Sequence, residues 1–314
     1  MYPTISVIIP TFNRYSLLGE TLDSIIAQTF KNWECIVVDD GSLDYTSELL
    51  DCYVTNDPRI KYFTRPKNRK KGANTCRNFG FEISKGDYIN WFDDDDIMHP
   101  EKLELQYEHL KNSNYNFTVC KASVFETSTT NIIGIRNENI ISENVFLDYL
   151  KMNINWLTQP PLWRKYFLNQ QNLLFDEELQ AAQEWEFHCR MLAVSPKYLT
   201  LEKSLIYLRK HNSSITYNAN KEFRDWHYFL ARLKIYENEK LNLDEEAINF
   251  LRNYLINVFK AMVVAKNPFV IKAYKRFIFC EPQLKLQTKF NAFIAMVFYK
   301  AFNKGNKFLQ KIKF

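Results

Sequence analysis

Three short apolar runs in the first hundred residues each end in polar side chains, and this pattern constrains the fold most strongly. The runs cover residues 6–10, 35–38 and 88–92, and a segment with apolar residues at helical spacing, 16–28, follows the first of them. Alternating strands and helices predict an α/β fold, with a mostly parallel central sheet and helices on both faces. Ligands bind at the carboxyl ends of such strands, so we expect the polar residues there to converge on one crevice.

The same periodicities predict further elements along the chain. Helices are expected over about 44–54, 73–84, 101–110 and 182–193, and strands over 60–63 and 117–125. Residues beyond about 220 lose the strand pattern and are predicted to be helical, for example over 244–264. We therefore expect an α/β domain over residues 1–218 and a helical, basic C-terminal region over 219–314.

Composition limits the class of protein. Of the 314 residues, 46% are hydrophobic and 25% are charged, which is typical of a globular protein and excludes a disordered or collagen-like chain. No run approaches the roughly 18 apolar residues that a membrane span needs, and the first residues do not resemble a signal peptide, so a soluble cytoplasmic protein is expected. The six cysteines form no C-x-x-C pair, which predicts reduced, mostly buried thiols and no structural zinc.

Charge is distributed unevenly along the chain. Residues 260–314 contain twelve Lys and Arg residues and the single acid Glu281, so this segment carries a formal charge of +11. The whole chain carries +5, and the remaining residues therefore carry −6. An acidic body with a basic tail requires a separate explanation for each part.

Four consecutive aspartates, Asp93–Asp96, follow the third apolar run. Neighbouring carboxylates raise one another's pKa unless a cation neutralises them. A solvated acidic loop is one interpretation, but the apolar strand before the run would bring the carboxylates to the ligand-binding edge of the sheet. Hard oxygen ligands at that edge suit Mg²⁺ or Mn²⁺ bridging a diphosphate.

Two other segments are candidates for the same crevice. Asp39 and Asp40 begin a turn, and we expect Asp39 to cap it structurally while Asp40 faces a ligand, where it could accept a hydrogen bond from a base or a ribose. The basic loop 65–72 is either an ordinary solvated loop or a flexible edge near phosphates. Arg77 on the following helix could contact a diphosphate or hold the aspartates in place.

These motifs, taken in order, resemble those of the family 2 glycosyltransferases of bacterial type, which have the GT-A fold and invert the configuration of the transferred sugar. The resemblance covers roughly residues 4–215. The motifs are Ser6–Arg14 (SVIIPTFNR), Gln28–Phe30 (QTF), Glu34–Ser42 (ECIVVDDGS), Gly72–Asn78 (GANTCRN), Gly86–Ile89 (GDYI) and Phe92–Asp96 (FDDDD), followed by Pro100 and Leu103.

The resemblance implies roles for particular positions. Asp40 matches the residue that hydrogen-bonds the base, usually uracil, and Arg77 matches a basic residue near the diphosphate. Asp93 and Asp95 match a D-x-D pair, in which Asp95 is implied as the direct metal ligand and Asp93 lies nearer the ribose. The implied donor-binding residues are Pro10, Thr11, Asn13, Asp40, Arg77, Asp93 and Asp94.

The late motif of the family carries the catalytic base, commonly in a Glu-Asp pair, and here Gln183-Glu184 takes its place. The resemblance implies Glu184 as the base, with Glu186 as the alternative. An exposed helix N-terminus stabilised by the helix dipole is the structural interpretation of both residues. His211 matches a motif near the diphosphate and is either a further metal or phosphate contact or a structural histidine.

The implied reaction is inverting, metal-dependent transfer of a sugar from a nucleotide-sugar donor, most simply a UDP-sugar, to a hydroxyl of a glycan or lipid-linked acceptor in cell-surface polysaccharide synthesis. Mn²⁺ or Mg²⁺ is the implied cofactor. A nucleotidyltransferase is one alternative, although it would normally carry a Gly-rich phosphate loop after the first strand. A non-catalytic membrane-peripheral binding protein with a degenerate site is another.

The basic tail contains an apolar stripe at helical spacing within residues 288–302, flanked by Lys289 and Lys300. One interpretation is a helix lying on anionic lipid at the inner face of the plasma membrane, through residues 288–314. Another is packing on the catalytic domain or on a second subunit. Nucleic-acid binding is a third possibility, but the chain lacks a recognition motif and no nucleic acid is expected. The stripe consists of Phe290, Phe293, Ile294, Val297, Phe298, Ala301 and Phe302.

Overall fold

The computed structural model describes residues 2–210 and 220–313. Contacts divide the chain into two compact units. The sheet unit comprises Met1–Gln180 and Met191–Ser214, and the helical unit comprises Ala181–Arg190 and Ile215–Phe314. The predicted boundary between residues 218 and 219 lies outside the described residues and stays a prediction.

A single mixed sheet forms the centre of the sheet unit. Among the described residues its strands are β1 (Ile5–Thr11), β2 (Trp33–Asp39), β3 (Ile60–Thr64), β4 (Tyr88–Trp91), β5 (Ile97–Met98), β6 (Phe117–Phe125), β7 (Ile132–Ile135), β8 (Pro161–Arg164) and β9 (Leu199–Arg209). Their order is β3-β2-β1-β4-β8-β6-β9-β5, with β7 paired to β6. The pairs among β1 to β4 are parallel, as is β6 with β9, whereas β8 runs antiparallel to both of its neighbours.

The helices of the sheet unit connect these strands. They are α1 (Tyr15–Ile26), α2 (Thr46–Asn56), α3 (Ala73–Ile83), α4 (Lys102–Lys111), α5 (Val145–Leu150) and α6 (Lys165–Asn169). Helix α7 (Gln183–Val194) begins in the helical unit and ends in the sheet unit. The predicted helices agree with these bounds to within two residues, and the α/β fold class is confirmed.

The parallel strands β1 and β2 are buried along their whole length, which explains their continuous apolar sequences. Their register places Thr11 beside Asp39, so both strands end at the same edge. Helix α3 packs closely on this layer, because a Cβ atom at Gly80 would lie 2.4 Å from Cγ2 of Ile8. The buried layer therefore fixes where the polar strand ends emerge.

The described part of the helical unit consists mainly of helices. They are α8 (Lys221–Tyr236), α9 (Glu245–Val264), α10 (Val270–Ala273), which continues into a π-helical turn (Tyr274–Ile278), α11 (Leu286–Phe302) and α12 (Asn306–Leu309). Asp244 caps α9, since its Oδ1 accepts a hydrogen bond of 2.8 Å from the amide of Ala247. The predicted helical character of this region is confirmed for its described residues.

Two further findings concern the cysteines and the length of the helices. Cys35, Cys76, Cys120 and Cys189 are buried, whereas Cys52 and Cys280 are exposed. Within residues 2–210 and 220–313, every helix is too short or too polar to cross a bilayer.

Candidate active site

The loops that follow β1 and β2 are joined into one rim by Asn13. Its backbone N–H donates to Oγ of Ser42 at 2.8 Å, and its side-chain Oδ1 accepts from the amide of Leu43 at 2.8 Å. Asn13 has φ of 51°, in the left-handed region that asparagine tolerates better than most residues. Thr11 adds a further link between the two loops, because its carbonyl accepts a hydrogen bond of 2.9 Å from the amide of Asp40.

Asp39 and Asp40 have different surroundings. Oδ1 of Asp39 accepts hydrogen bonds from the amide of Gly41 (3.1 Å), the amide of Ser42 (2.9 Å) and Oγ of Ser42 (2.6 Å). The carboxylate of Asp39 therefore closes the turn, as its sequence position predicted. Asp40 instead forms an ion pair with Nε of Arg65.

Arg65 ties Asp40 to the basic loop. Its Nη1 donates to the carbonyls of Pro66 (3.1 Å) and Arg69 (2.5 Å), so the guanidinium shapes the loop that carries it. On the same loop, the ammonium of Lys71 lies 3.8 Å from the ring centroid of Phe12, which follows Thr11. The basic loop is thus anchored to the ends of β1 and β2.

The four aspartates after β4 are held by polar side chains from other elements. Asp93 accepts a hydrogen bond of 2.9 Å from Nη2 of the buried Arg77, and a second of 2.8 Å from Nε2 of Gln159. The same Nε2 donates to Oδ2 of Asp96 at 2.6 Å. Arg77 is itself oriented by Oδ1 of Asn74, at 3.0 Å from Nη1.

Arg209, the last residue of β9, supports the other side of the aspartate run. Its backbone N–H donates to Oδ1 of Asp96 at 2.9 Å, and its Nε donates to the carbonyl of Asp95 at 3.0 Å. Asp96 is buried, and the carbonyl of Asp96 accepts from Oγ1 of Thr21 at 2.8 Å. Asp96 therefore has a positioning role within the protein.

Asp94 and Asp95 share one cation, Arg14, which lies just beyond the end of β1. Nε of Arg14 is 3.5 Å from Asp94, and Nη2 is 3.4 Å from Asp95. These distances are longer than those of a close bidentate pair. Arg14 thus partly offsets the two negative charges at the edge where the predicted donor-binding residues meet.

The electrostatics of the run are unfavourable for negative charge. Desolvation, and to a smaller extent the charge of Asp95, raises the pKa of Asp94 to about 7. The pKa values of Asp93 and Asp96 are also raised by desolvation, although Arg77 opposes the shift at Asp93. A bound cation would relieve this repulsion.

The donor set fits a divalent cation that is only partly coordinated by protein. In the part of the chain that the structure describes, no group of three or more His, Cys, Asp or Glu side chains is placed to hold a metal ion. Mg²⁺ characteristically binds one or two carboxylates and completes its coordination with substrate phosphates and water. The carboxylates of Asp93–Asp96 provide such hard oxygen donors at a strand end.

The first turn of α7 distinguishes its two glutamates. Glu186 is buried and holds both Nε and Nη2 of Arg190, at 2.6 and 2.9 Å. Glu184 is only partly buried. Of the two, Glu186 is thus committed to an ion pair inside the helical unit.

The remaining sequence-predicted residues are Pro10 and His211. Pro10 is buried within β1. His211 lies outside the described residues. Sequence reasoning gave no individual role to Gln159 or Arg209, and it included Arg14 and Arg65 only as members of the first motif and of the basic loop 65–72.

Comparison with known proteins adds to this geometry. The family described as "Glycosyl transferase family 2" matches residues 6–174. WcaA of Escherichia coli, whose name refers to colanic acid biosynthesis, is 30% identical over 74% of this chain and 82% of its own length. The chain belongs to glycosyl transferase family 2. It is a glycosyltransferase, and its fold is of the GT-A type.

Another match covers only part of a longer relative. An uncharacterized glycosyltransferase of Rickettsia bellii is 29% identical over 80% of this chain, but the match spans only 36% of that protein. Similarity to this relative therefore extends over most of this chain while leaving much of the relative unmatched.

Solved structures share the fold at low sequence identity. TarS of S. aureus, in a complex with UDP, has a TM-score of 0.65 and 19% identity, covering 98% of this chain and 90% of that one. A mannosyltransferase from Pyrobaculum calidifontis, solved with GDP-Man and Mn²⁺, has a TM-score of 0.56 and 15% identity, covering 99% and 86%. At these identities the likeness concerns the fold.

Proposed function

We propose that this glycosyltransferase moves a sugar from a nucleotide-sugar donor to an acceptor hydroxyl with inversion at the anomeric carbon. The observation that carries the proposal is the run of four carboxylates, Asp93–Asp96, beside the cations Arg14 and Arg77. Burial raises the pKa of Asp93, Asp94 and Asp96, and such crowded carboxylates suit a cation and the diphosphate that the cation binds.

UDP is the proposed nucleotide of the donor. Asp40 would accept a hydrogen bond from N–H of uracil, and Pro10, Thr11 and Asn13 would line the nucleotide pocket. The joined rim of the β1 and β2 loops supports this assignment, because it brings Asn13 and Asp40 to one edge. TarS, which shares the fold, binds UDP, as its complex records.

Mn²⁺ or Mg²⁺ is the proposed cofactor, with Asp95 as its direct ligand, Asp93 and Asp94 beside it, and His211 as a further candidate. When bound, a divalent cation stabilises the charge that develops on the departing diphosphate. Arg77 would hold Asp93 in place and contribute positive charge near the same diphosphate. The mannosyltransferase with the same fold was solved with Mn²⁺.

Glu184 is the proposed catalytic base. It would take the proton from the acceptor hydroxyl while that oxygen attacks the anomeric carbon and the bond from carbon to the diphosphate oxygen breaks. One displacement inverts the configuration, so no second carboxylate nucleophile is needed. The ion pair of Glu186 with Arg190 supports Glu184 over Glu186 in this role.

The proposed acceptor is a glycan or a lipid-linked glycan of cell-surface polysaccharide synthesis. The similarity to WcaA supports the polysaccharide assignment. A cytoplasmic location with peripheral contact at the inner face of the plasma membrane, through residues 288–314, belongs to the same proposal. Membership of the family argues against the nucleotidyltransferase and the non-catalytic alternatives.

Nucleotide binding is the experiment that tests the proposal. Thermal-shift and calorimetric titrations would use UDP, GDP, CDP and dTDP, each with and without Mn²⁺. A ligand that binds only the native state raises the melting temperature, and we expect a Mn²⁺-dependent shift that is largest for UDP. No shift with any of the four nucleotides would contradict the proposal.

Two matched variants sharpen this experiment. Asp95→Asn should remove the Mn²⁺ dependence and abolish sugar transfer, while Asp51→Asn, an exposed aspartate on α2, should behave like the wild type. Full transfer activity in Asp95→Asn would overturn the metal assignment.

A further inference from the structure

Helix α11 turns its large apolar side chains outward. Leu286, Phe290, Phe293, Val297, Phe298 and Phe302 are all exposed, and we call this set the aromatic face. Phe290 is 56% exposed and Phe302 is 65% exposed. The buried side of the same helix carries smaller or polar residues, including Thr288, Asn291 and Ala292. This arrangement is the reverse of an ordinary amphipathic helix in a globular protein.

The aromatic face extends beyond α11. The ring of Tyr274 lies 6.2 Å from that of Phe293 and 6.3 Å from that of Phe279, and Phe279 is also exposed. At the other end, Phe298 lies 5.3 Å from Phe308. Contiguous exposed apolar surface of this kind marks a site of contact with another molecule.

The surroundings of the aromatic face are cationic. Residues 260–314 contain twelve Lys and Arg residues and only one acid, Glu281. Glu281 is buried, accepts a hydrogen bond of 2.7 Å from the hydroxyl of Tyr236, and lies 3.5 Å from Arg252. The one negative charge of the segment is therefore neutralised inside the helical unit. Lys289 and Lys300 are three helical turns apart, which places them on one flank of the aromatic face.

We propose that the aromatic face docks on an anionic lipid surface, with the phenylalanines in the acyl boundary and the lysines on the headgroups. An interfacial helix of this type combines an apolar face with basic residues at its edge. A second copy of the chain fits less well, because a two-fold contact would bring two strongly basic surfaces together. This inference rests on the membrane contact in the proposed function. It adds which residues make that contact and which charge the lipid carries.

Co-sedimentation of the full chain with vesicles tests the inference. One vesicle contains phosphatidylcholine alone, and the other contains equal parts of phosphatidylcholine and phosphatidylglycerol. We expect partition into the second vesicle only, weakened by added salt, since salt screens the attraction of lysines to anionic headgroups. No partition into the anionic vesicle, or equal partition into both, would overturn the inference.

Matched variants assign the contact to the aromatic face. Phe290→Ser with Phe302→Ser should lower partition into anionic vesicles about tenfold or more, because two large apolar groups no longer enter the boundary. Tyr2→Ser with Tyr166→Ser, which removes two other exposed aromatic rings, should leave partition unchanged. Equal losses in both double variants would contradict the assignment.

A second pair of variants tests the charge. Lys289→Gln with Lys300→Gln should lower partition about tenfold, whereas Lys197→Gln with Lys240→Gln, an equal change in net charge, should have a smaller effect. Equal effects of the two double variants would mean that net charge alone drives binding. That result would contradict the assignment of lipid binding to the aromatic face.

Further measurements on the same samples test whether the aromatic face binds a second copy of the chain or a nucleic acid instead. Sedimentation velocity without vesicles would overturn the inference if it showed a dimer that Phe290→Ser with Phe302→Ser dissociates. Binding of duplex DNA or RNA in place of anionic vesicles would overturn it in favour of nucleic acid. UDP-dependent stabilisation measured in parallel tests the proposed sugar transfer separately, because nucleotide binding can hold when vesicle binding fails, and the reverse.

Discussion

Nη2 of Arg77 donates a hydrogen bond of 2.9 Å to Oδ1 of Asp93, and this contact joins α3 to the end of β4. Arg77 is 5% exposed, whereas the side chain of Asp93 is 33% exposed. The guanidinium is therefore the buried partner, and the carboxylate remains accessible on one side.

Removing Arg77 should destabilise the protein moderately. Arg77→Ala leaves Asp93 without its nearest cation, and we expect a loss of about 2 kcal/mol in the free energy of unfolding, below the roughly 3–5 kcal/mol for a fully buried pair. Urea denaturation measures this change. Arg69→Ala provides the control, because its two hydrogen bonds to Glu82 join exposed side chains and should contribute under about 1 kcal/mol.

The double variant Arg77→Ala with Asp93→Asn separates electrostatics from packing. It should recover part of the lost stability, since the unpaired carboxylate is then removed. A double variant no more stable than Arg77→Ala alone would mean that packing against Phe175, whose ring centroid lies 5.3 Å from the guanidinium carbon, explains the loss.

The two glutamates of α7 should respond differently to amide substitution. Glu184→Gln removes the proposed base and should lower kcat by about 10²–10⁴-fold, with UDP affinity unchanged. Glu186→Gln breaks the buried pair with Arg190 and should lower the free energy of unfolding by about 3 kcal/mol. Steady-state kinetics and urea denaturation on both variants make the comparison. Strong loss of kcat in a fully stable Glu186→Gln variant would reverse the assignment.

His188 should make the protein sensitive to acid. Burial, assisted by the charge of Arg190, lowers the pKa of His188 from 6.5 to about 3. Below pH 6.5 the unfolded chain binds a proton that the native state rejects, so stability falls as the pH decreases towards 3. This group alone contributes a slope of about 1.4 kcal/mol per pH unit in that window.

Unfolding measurements between pH 6.5 and 4 check this expectation. His188→Gln should flatten the decline by that slope, whereas His109→Gln, on the surface of α4, should leave it unchanged. Parallel pH profiles for the wild type and His188→Gln would show that the histidine is protonated in the native state.

Two helical glycines should respond with opposite signs to substitution by alanine. In Gly80→Ala the new Cβ would lie 2.4 Å from Cγ2 of Ile8, which predicts a loss of about 1–3 kcal/mol from overpacking. In Gly19→Ala the nearest atom, Oη of Tyr53, is 3.5 Å away, so the higher helix propensity of alanine should add about 0.5–1 kcal/mol. Thermal and urea denaturation measure both. Stabilisation by both substitutions would show that Ile8 can move aside.

Periodicity predicted the elements that bury a long apolar stripe. Strand β6 has the predicted bounds, 117–125, and the helices around the sheet agree closely. The short strands β5, β7 and β8 and the helices α5 and α6 were missed, because segments this short carry too few residues to show a period. Strand β9 was missed for another reason. Its first half, from Leu199 to Ser204, mixes exposed and half-buried residues and carries charges at 202 and 203.

The positions of the candidate site residues could be predicted where they lie at the ends of regular strands, but their roles stay predictions. Asp39, the last residue of β2, closes the turn as predicted, whereas the ligand-facing role of Asp40 stays a prediction. Gln159 could not be predicted, since it lies more than sixty residues from Asp93 and reaches it only through the pairing of β4 with β8. A contact between residues so distant in sequence can be recognised only once the strands are paired in the folded sheet.

The distribution of buried and exposed thiols determines where a thiol reagent can modify the protein. Burial raises the pKa of Cys76 to about 12 and that of Cys120 to about 11, and it keeps these sulfurs in the unreactive protonated form. Cys52 in the sheet unit and Cys280 in the helical unit are exposed. Maleimide dyes added to the native protein should therefore label one position in each unit.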